Sequence, residues 1–153
     1  MNIVILNEKS KEKHIIGYLQ CVQSLNAADC VVQDVWLVRK KLGERDKNTI
    51  TYLAIVNDHV VSTATVILET KLRYHKMCCH IEDVATIDNE RGRGYGKRLV
   101  GHCIRLAETL NCYKTKLNCK ESLIPFYASL GFENQGCSIC LLYTSDAADD
   151  GLS

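Results

Sequence analysis

The stretch Arg91-Gly92-Arg93-Gly94-Tyr95-Gly96 is the most informative part of this sequence. It follows a strand-like run at residues 79–87 and leads directly into a segment with helical periodicity. Glycines let a backbone approach a ligand closely, and a helix N-terminus offers unpaired N–H groups and the positive end of the helix dipole. The pattern predicts a strand, loop and helix whose loop binds a pyrophosphate; a tight turn without a ligand is the alternative.

Two other phosphate-binding loops do not match this stretch. A P-loop ends in Gly-Lys-Ser or Gly-Lys-Thr, and that ending is absent here. A dinucleotide-binding fold places its glycines after the first strand of a parallel unit, whereas these follow the fourth predicted strand. We therefore expect a different kind of pyrophosphate site.

The elements around this stretch predict a mixed α/β (α+β) domain. Upstream we expect a strand at residues 3–6, helices at 15–25 and 35–42, and a hairpin of strands 50–56 and 60–68 around Asn57, Asp58 and His59. Downstream we expect a strand at 113–118, a helix at 122–130 with Pro125 in its first turn, and a last strand region at 132–143. The prediction is a mostly antiparallel central sheet flanked by helices.

Composition limits the class of protein. A chain of 153 residues is expected to form one domain, at residues 1–143, with an acidic, aperiodic and disordered tail at 144–153 that we suspect is not native sequence. Nineteen basic and eighteen acidic residues leave no field to attract nucleic acid. We find no export signal and no apolar run that would span a membrane, and the nine cysteines are an odd number. These features predict a cytoplasmic protein with reduced thiols.

The sequence resembles the GNAT acetyltransferases, and within them the glucosamine 6-phosphate N-acetyltransferases. The resemblance covers most of the chain. It rests on the Arg-x-x-Gly-x-Gly stretch together with His80-Ile81-Glu82-Asp83-Val84-Ala85 before it, Asn111-Cys112-Tyr113-Lys114 after the helix, and residues 125–132. The resemblance implies the GNAT fold, acetyl-CoA as the acetyl donor, glucosamine 6-phosphate as the acceptor and a homodimer.

The resemblance also implies roles for the residues that hold acetyl-CoA. The backbone of Val84, Ala85 and Thr86 would pair with the pantetheine arm as an added strand would. The amides of Arg91, Gly92, Arg93, Gly94, Tyr95 and Gly96 would bind the pyrophosphate. Tyr127 would contact the cofactor near its sulfur and protonate the departing thiolate, the alternative being a core aromatic residue.

A second group of residues is implied for the acceptor. Glu82 would accept from the substrate ammonium or take its proton through water, and Asp83 would bind nearby hydroxyl or amine groups. Strand alternation sends these two carboxylates to opposite faces of the sheet. The remaining implied contacts are the orienting carbonyl of Asn118 and the substrate-binding residues Asn26, Lys71, Arg73, Tyr74 and His75.

Rival functions remain open at this point. One is a GNAT enzyme that acts on a protein N-terminus, a lysine or a polyamine, for which the basic loop around Lys71 and Arg73 is poorly suited. Another is a module that binds acetyl-CoA without turnover. A metal site at His75, Cys78, Cys79 and His80 is not expected, because adjacent side chains on a strand diverge.

Overall fold

The computed structural model describes residues 1–26, 33–136, 139–141 and 143. Within these ranges the chain forms one five-stranded sheet with helices on both faces. The elements are β1 (Asn2–Leu6), α1 (Glu12–Gln23), α2 (Val35–Glu44), β2 (Thr49–Val56), β3 (His59–Lys71), β4 (Lys76–Thr86), α3 (Tyr95–Thr109), β5 (Lys114–Lys116) and α4 (Ile124–Ala128). The predicted α+β class is confirmed.

The strands lie in sequence order across the sheet, from β1 to β5. Each of the first three neighbouring pairs is antiparallel, and only β4 and β5 are parallel. The β2–β3 hairpin turns at Asn57 and Asp58, which have φ angles of 51° and 65°. Asparagine and aspartate tolerate this left-handed region best among the non-glycine residues, which explains why the chain reverses there.

Successive side chains of β2 point to opposite faces of the sheet and pack into two separate hydrophobic cores. Tyr52 and Ala54 face a cluster that includes α3 residues Leu99 and Cys103. Leu53 faces a second cluster that includes α1 residues. The α1 helix lies close to the sheet at Gly17, where an added β carbon would be 2.7 Å from the Val60 Cβ atom. The sheet is therefore buried on both faces, with α1 and α2 on one side and α3 on the other.

The end of the chain departs from the sequence-based expectation. The predicted helix at 122–130 is a 3₁₀ turn, Glu121–Leu123, followed by the five-residue α4. The predicted strand at 132–143 is wrong for the described residues of that segment, none of which is in a strand. Positive φ angles at Gly131 and Gly136 interrupt the extended path, and Ile139 and Leu141 are 94% and 78% exposed, with no strand beside them in the described ranges. The tail at 144–153 lies outside the described residues.

No helix in the described ranges has the length and apolar character needed to cross a bilayer.

Candidate active site

The glycine loop, residues 91–96, connects β4 to α3 through a short 3₁₀ turn at Asp88–Glu90. Gly92 and Gly94 have φ angles of 80° and 81°, and Gly94 is the N-cap of α3. A β carbon at either glycine would meet no atom within 4 Å, so the loop leaves open space over the helix N-terminus. Open space beside unpaired N–H groups is what a pyrophosphate site requires.

Ion pairs hold the glycine loop against the end of β4. Arg91 pairs with Asp88 at 3.1 Å, and its Nε atom donates to the Thr86 carbonyl oxygen at 3.3 Å. Arg93 pairs with Glu90 at 3.4 Å. Both arginine side chains are more than half exposed, so their remaining donors are accessible to an anion.

The second half of β4 has a backbone edge that is not paired with β5. The parallel ladder joins only Cys78, Cys79 and His80 to β5, whereas on its other side β4 pairs with β3 as far as Thr86. Within the described residues this leaves the open edge of β4, residues 81–86, without a strand beside it. The open edge contains Val84, Ala85 and Thr86 and ends beside the glycine loop. An extended ligand can therefore pair with this edge as a strand would.

A bulge in β4 corrects our expectation for Glu82 and Asp83. The register passes from Glu82 opposite Thr65 to Ala85 opposite Thr63, and Asp83 has a φ angle of 51°. An extra residue in one strand interrupts alternation. Burial raises the pKa of Tyr18, which lies on α1, and both carboxylates raise it further. We conclude that the two carboxylates share the α1 side of the sheet and do not point to opposite faces.

Burial and a neighbouring charge shift the pKa of Asp83. Burial raises the pKa of Asp83, and the Glu82 carboxylate raises it further, while Arg45 opposes both effects. Glu82 also lies 3.9 Å from the His80 Nε2 atom. The bulge therefore carries two interacting carboxylates with a histidine beside one of them, a combination suited to receiving an amine and moving its proton.

Tyr127 is buried on the other side of the sheet. Its ring is 7% exposed and packs edge-to-face against Phe126 and Phe132, with ring centroids 4.9 Å and 5.8 Å away. Its hydroxyl has no hydrogen-bond partner among the described residues. Burial raises the pKa of Tyr127 to about 12, with the nearby Cys119 adding to the shift. Tyr127 is thus a core aromatic residue whose phenol stays protonated through the neutral range.

The basic residues predicted for the acceptor lie away from the carboxylates. The hairpin loop, residues 72–75, joins β3 to β4, and Glu82 is six residues beyond the start of β4, which places it about 20 Å away. The Lys71 ammonium pairs with Glu69 at 2.8 Å, and the Arg73 guanidinium stacks on the Tyr74 ring. His75 has a φ angle of 52°. One chain does not bring this group to the carboxylates.

This basic group has a depression of its own. Lys71, Arg73 and Tyr74 line an open volume of about 410 Å³ with Tyr113, whose ring lies 4.6 Å from that of Tyr74. The depression is at the end of the sheet away from the glycine loop.

Two predicted asparagines lie at element ends. β5 is shorter than expected, Lys114–Lys116, and Asn118 follows it as an exposed residue. The last paired residue of β5 is Lys116, opposite His80, so Asn118 lies two residues past the end of the parallel ladder. Asn26 follows α1 and borders residues 27–32, which are outside the described ranges.

Sequence reasoning missed three groups near the carboxylates. Tyr18 lies within the helix expected at 15–25, Arg45 lies just beyond the helix expected at 35–42, and His80 entered only as part of the resemblance. Only the proximity of His80 to Glu82 had a local signal, because residues two apart on a strand share a face. No cluster of three or more histidine, cysteine or acidic residues suited to a metal occurs in the described part of the chain.

Comparisons with known proteins agree on one family. A model of the acetyltransferase (GNAT) family matches residues 22–132. The glucosamine 6-phosphate N-acetyltransferase of Schizosaccharomyces pombe is 37% identical over 98 residues, covering 61% of this chain and 88% of that protein. The glucosamine 6-phosphate N-acetyltransferase 1 of Dictyostelium discoideum is 27% identical over 131 residues, 82% of each chain. The solved glucosamine-6-phosphate N-acetyltransferase of Arabidopsis thaliana shares the fold, with a TM-score of 0.79 at 22% identity over 94% of this chain and 98% of that one.

Proposed function

Because this chain belongs to the acetyltransferase (GNAT) family, we propose that it transfers the acetyl group of acetyl-CoA to the amine of glucosamine 6-phosphate. The product would be N-acetylglucosamine 6-phosphate, made in the cytoplasm for UDP-N-acetylglucosamine synthesis by a domain spanning residues 1–143. The names of the relatives support this acceptor. The observation that carries the proposal is the open edge of β4, which extends from the carboxylate pair at the bulge to the glycine loop.

The residues present fit acetyl-CoA. The glycine loop has free space over Gly92 and Gly94 and accessible guanidinium groups at Arg91 and Arg93, which suit a pyrophosphate. The open edge of β4 can pair with the amide groups of a pantetheine arm. When bound, acetyl-CoA supplies an acetyl group activated as a thioester. The chain itself has to orient this group and move protons.

Two side chains would move those protons. Glu82 would accept the ammonium of the sugar or take its proton through water, and Asp83 would bind the neighbouring polar groups. Tyr127 would donate its proton to the thiolate sulfur, a role that its high pKa permits because the phenol stays protonated. The N–H groups near Val84 would donate to the acyl oxygen, and the carbonyl of Asn118 would orient the amine. We propose direct transfer in a ternary complex.

The predicted roles of Lys71, Arg73, Tyr74 and His75 require more than a single chain provides, whereas the role of Asn26, which follows α1, does not need a second chain. The hairpin loop lies about 20 Å from Glu82 in the same chain, so the residues of this loop reach an acceptor beside Glu82 only if a second copy supplies them. A homodimer with shared sites would meet this requirement. Measuring the mass of the protein in solution tests the homodimer independently of the reaction.

The test follows free thiol release from acetyl-CoA with glucosamine 6-phosphate, glucosamine, a lysine peptide and spermine as separate acceptors. We expect rapid release with the phosphorylated sugar only. Release with the peptide or with spermine instead would show that the acceptor is a different amine, while acetyl transfer from acetyl-CoA would stand. Binding of acetyl-CoA with no release in any of the four reactions would favour a module that binds the cofactor without turnover.

A further inference from the structure

A row of polar side chains crosses the sheet beneath α1 and α2. Thr51, Thr65 and Glu82 are register partners on β2, β3 and β4, so their side chains share one face. Thr51 and Thr65 are 0% and 2% exposed, and their hydroxyl oxygens are 2.8 Å apart. Farther along the same face the strands present apolar residues such as Leu53. The row is therefore a polar patch on a sheet face that otherwise packs into an apolar core.

Arg45 lies at the end of this row away from Glu82. It is the C-cap of α2, and its Nη1 atom donates to the Thr51 hydroxyl at 2.8 Å. Its side chain is half-buried, yet it forms no ion pair with a carboxylate in the described part of the chain. A guanidinium has five N–H donors, and the Thr51 contact uses one of them. The others remain available to a ligand.

Arg45 lies on the same face of the sheet as the carboxylates, because it bonds to Thr51 at one end of the row, whose other end is Glu82. Burial raises the pKa of Asp83 and of Tyr18, nearby carboxylates raise each pKa further, and the charge of Arg45 opposes both shifts. Thr51 and Glu82 are two strands apart, about 10 Å. An anion-binding group and an amine-binding group at this separation suit an acceptor that has an amine at one end and a phosphate at the other.

We propose that Arg45 binds the anionic phosphate of the acceptor, held in place by Thr51, while Glu82 and Asp83 bind its amine. This inference rests on the proposed function and assigns the phosphate to a residue of the same chain. Lys71 is less suited in the single chain, because its ammonium is paired with Glu69 and lies beyond the reach of the carboxylates. Arg45 thereby determines specificity for a phosphorylated amino sugar.

The test compares the variants Arg45→Gln, Arg45→Lys and Arg39→Gln with the unaltered protein. Arg39 is a matched control, because it is an arginine of the same helix whose Nη1 atom donates to the carbonyl oxygens of Glu8 and Ser10. For each protein, kcat and KM are measured by thiol release with glucosamine 6-phosphate and with glucosamine, and KM is also measured for acetyl-CoA. Circular dichroism checks that each variant is folded.

We expect Arg45→Gln to raise KM for glucosamine 6-phosphate by about tenfold or more, with kcat/KM for glucosamine and KM for acetyl-CoA unchanged. Arg45→Lys should retain part of the preference for the phosphorylated sugar. Arg39→Gln should retain the full preference. An unchanged preference in Arg45→Gln, or an equal loss with both sugars, would overturn the assignment while leaving the reaction intact. If the unaltered protein itself does not prefer the phosphorylated sugar, the proposed acceptor fails, and the role of Arg45 fails with it.

Discussion

Gly96 is packed so closely on Thr86 that a β carbon at residue 96 would lie 3.1 Å from the Thr86 Oγ1 atom. The same hydroxyl is 3.0 Å from the Ser62 hydroxyl, which also donates to the Ala85 carbonyl oxygen at 2.9 Å. These contacts fix the first turn of α3 against the end of the open edge of β4. The two parts of the proposed acetyl-CoA site are therefore held in one arrangement.

This packing predicts the effect of Gly96→Ala. The added methyl group should shift the first turn of α3 away from β4 and weaken acetyl-CoA binding several-fold, as measured by calorimetric titration. Thr86→Ala should restore part of the affinity when combined with it, because it removes the opposing oxygen. The control is Gly101→Ala on the same helix, where the nearest atom is the flexible end of Arg105 at 3.5 Å. Equal affinities of both single variants would contradict the prediction.

Tyr127→Phe tests the proposed proton donor. Removing the hydroxyl should lower kcat by about 100-fold or more and leave KM for acetyl-CoA unchanged, because the ring packing is retained. Tyr52→Phe is the matched control, since Tyr52 is a buried tyrosine of the same cluster that has no proposed role in the reaction. A kcat for Tyr127→Phe close to that of the unaltered protein would leave Tyr127 as a core residue only.

The pKa shifts of Asp83 and Asp58 have opposite directions and predict opposite dependences of stability on pH. The pKa of Asp83 is raised, so ionisation of this carboxyl destabilises the fold as the pH rises through that pKa. The pKa of Asp58 is lowered, first by its hydrogen bond with Lys13, so the stability that this ion pair contributes is lost as the pH falls through that pKa. Asp83→Asn should therefore raise the melting temperature more at pH 7 than at pH 3, and Asp58→Asn should lower it more at pH 7.

Both aspartates have positive φ angles, so the replacement by asparagine is matched in backbone conformation. Melting curves at the two pH values provide the measurement. Shifts of the same sign for the two variants at pH 7 would show that the environment of Asp83 has been misjudged.

The packing of α1 on the sheet predicts a stability difference between two helical glycines. Gly17→Ala should destabilise the protein by about 1–3 kcal/mol, because the new methyl group would overlap the Val60 side chain. Gly43→Ala on α2 should be neutral or stabilise by up to about 1 kcal/mol, since its nearest neighbour is the Glu8 side chain at 3.7 Å. Urea unfolding measures both, and similar values for the two variants would contradict the packing described.

Local patterns predicted most of the fold. The hairpin around Asn57 and Asp58 and the glycine loop were predictable because their residues favour left-handed or ligand-binding backbone by themselves. The strand expected at 132–143 failed because a strand depends on a neighbouring edge, which a pattern of apolar residues does not reveal. Ile139 and Leu141 have that pattern and remain exposed.

The candidate site was predictable only in part. Resemblance identified Glu82 and Asp83, but the bulge that puts them on one side of the sheet depends on how β4 pairs with β3. Arg45 reaches Thr51 across a turn and a strand start, and Tyr18 approaches the carboxylates only because α1 packs on this face. Such contacts between different elements leave no periodicity in the sequence.

The most direct test of the central claim is to identify the product formed from isotopically labelled acetyl-CoA and glucosamine 6-phosphate by mass spectrometry and NMR. We predict a sugar phosphate heavier by one labelled acetyl group, attached through an amide at the amino carbon, and an equal amount of free CoA. Free CoA accompanied by labelled acetate, or a label on the protein with the sugar unchanged, would contradict the claim that this chain acetylates an amino-sugar phosphate.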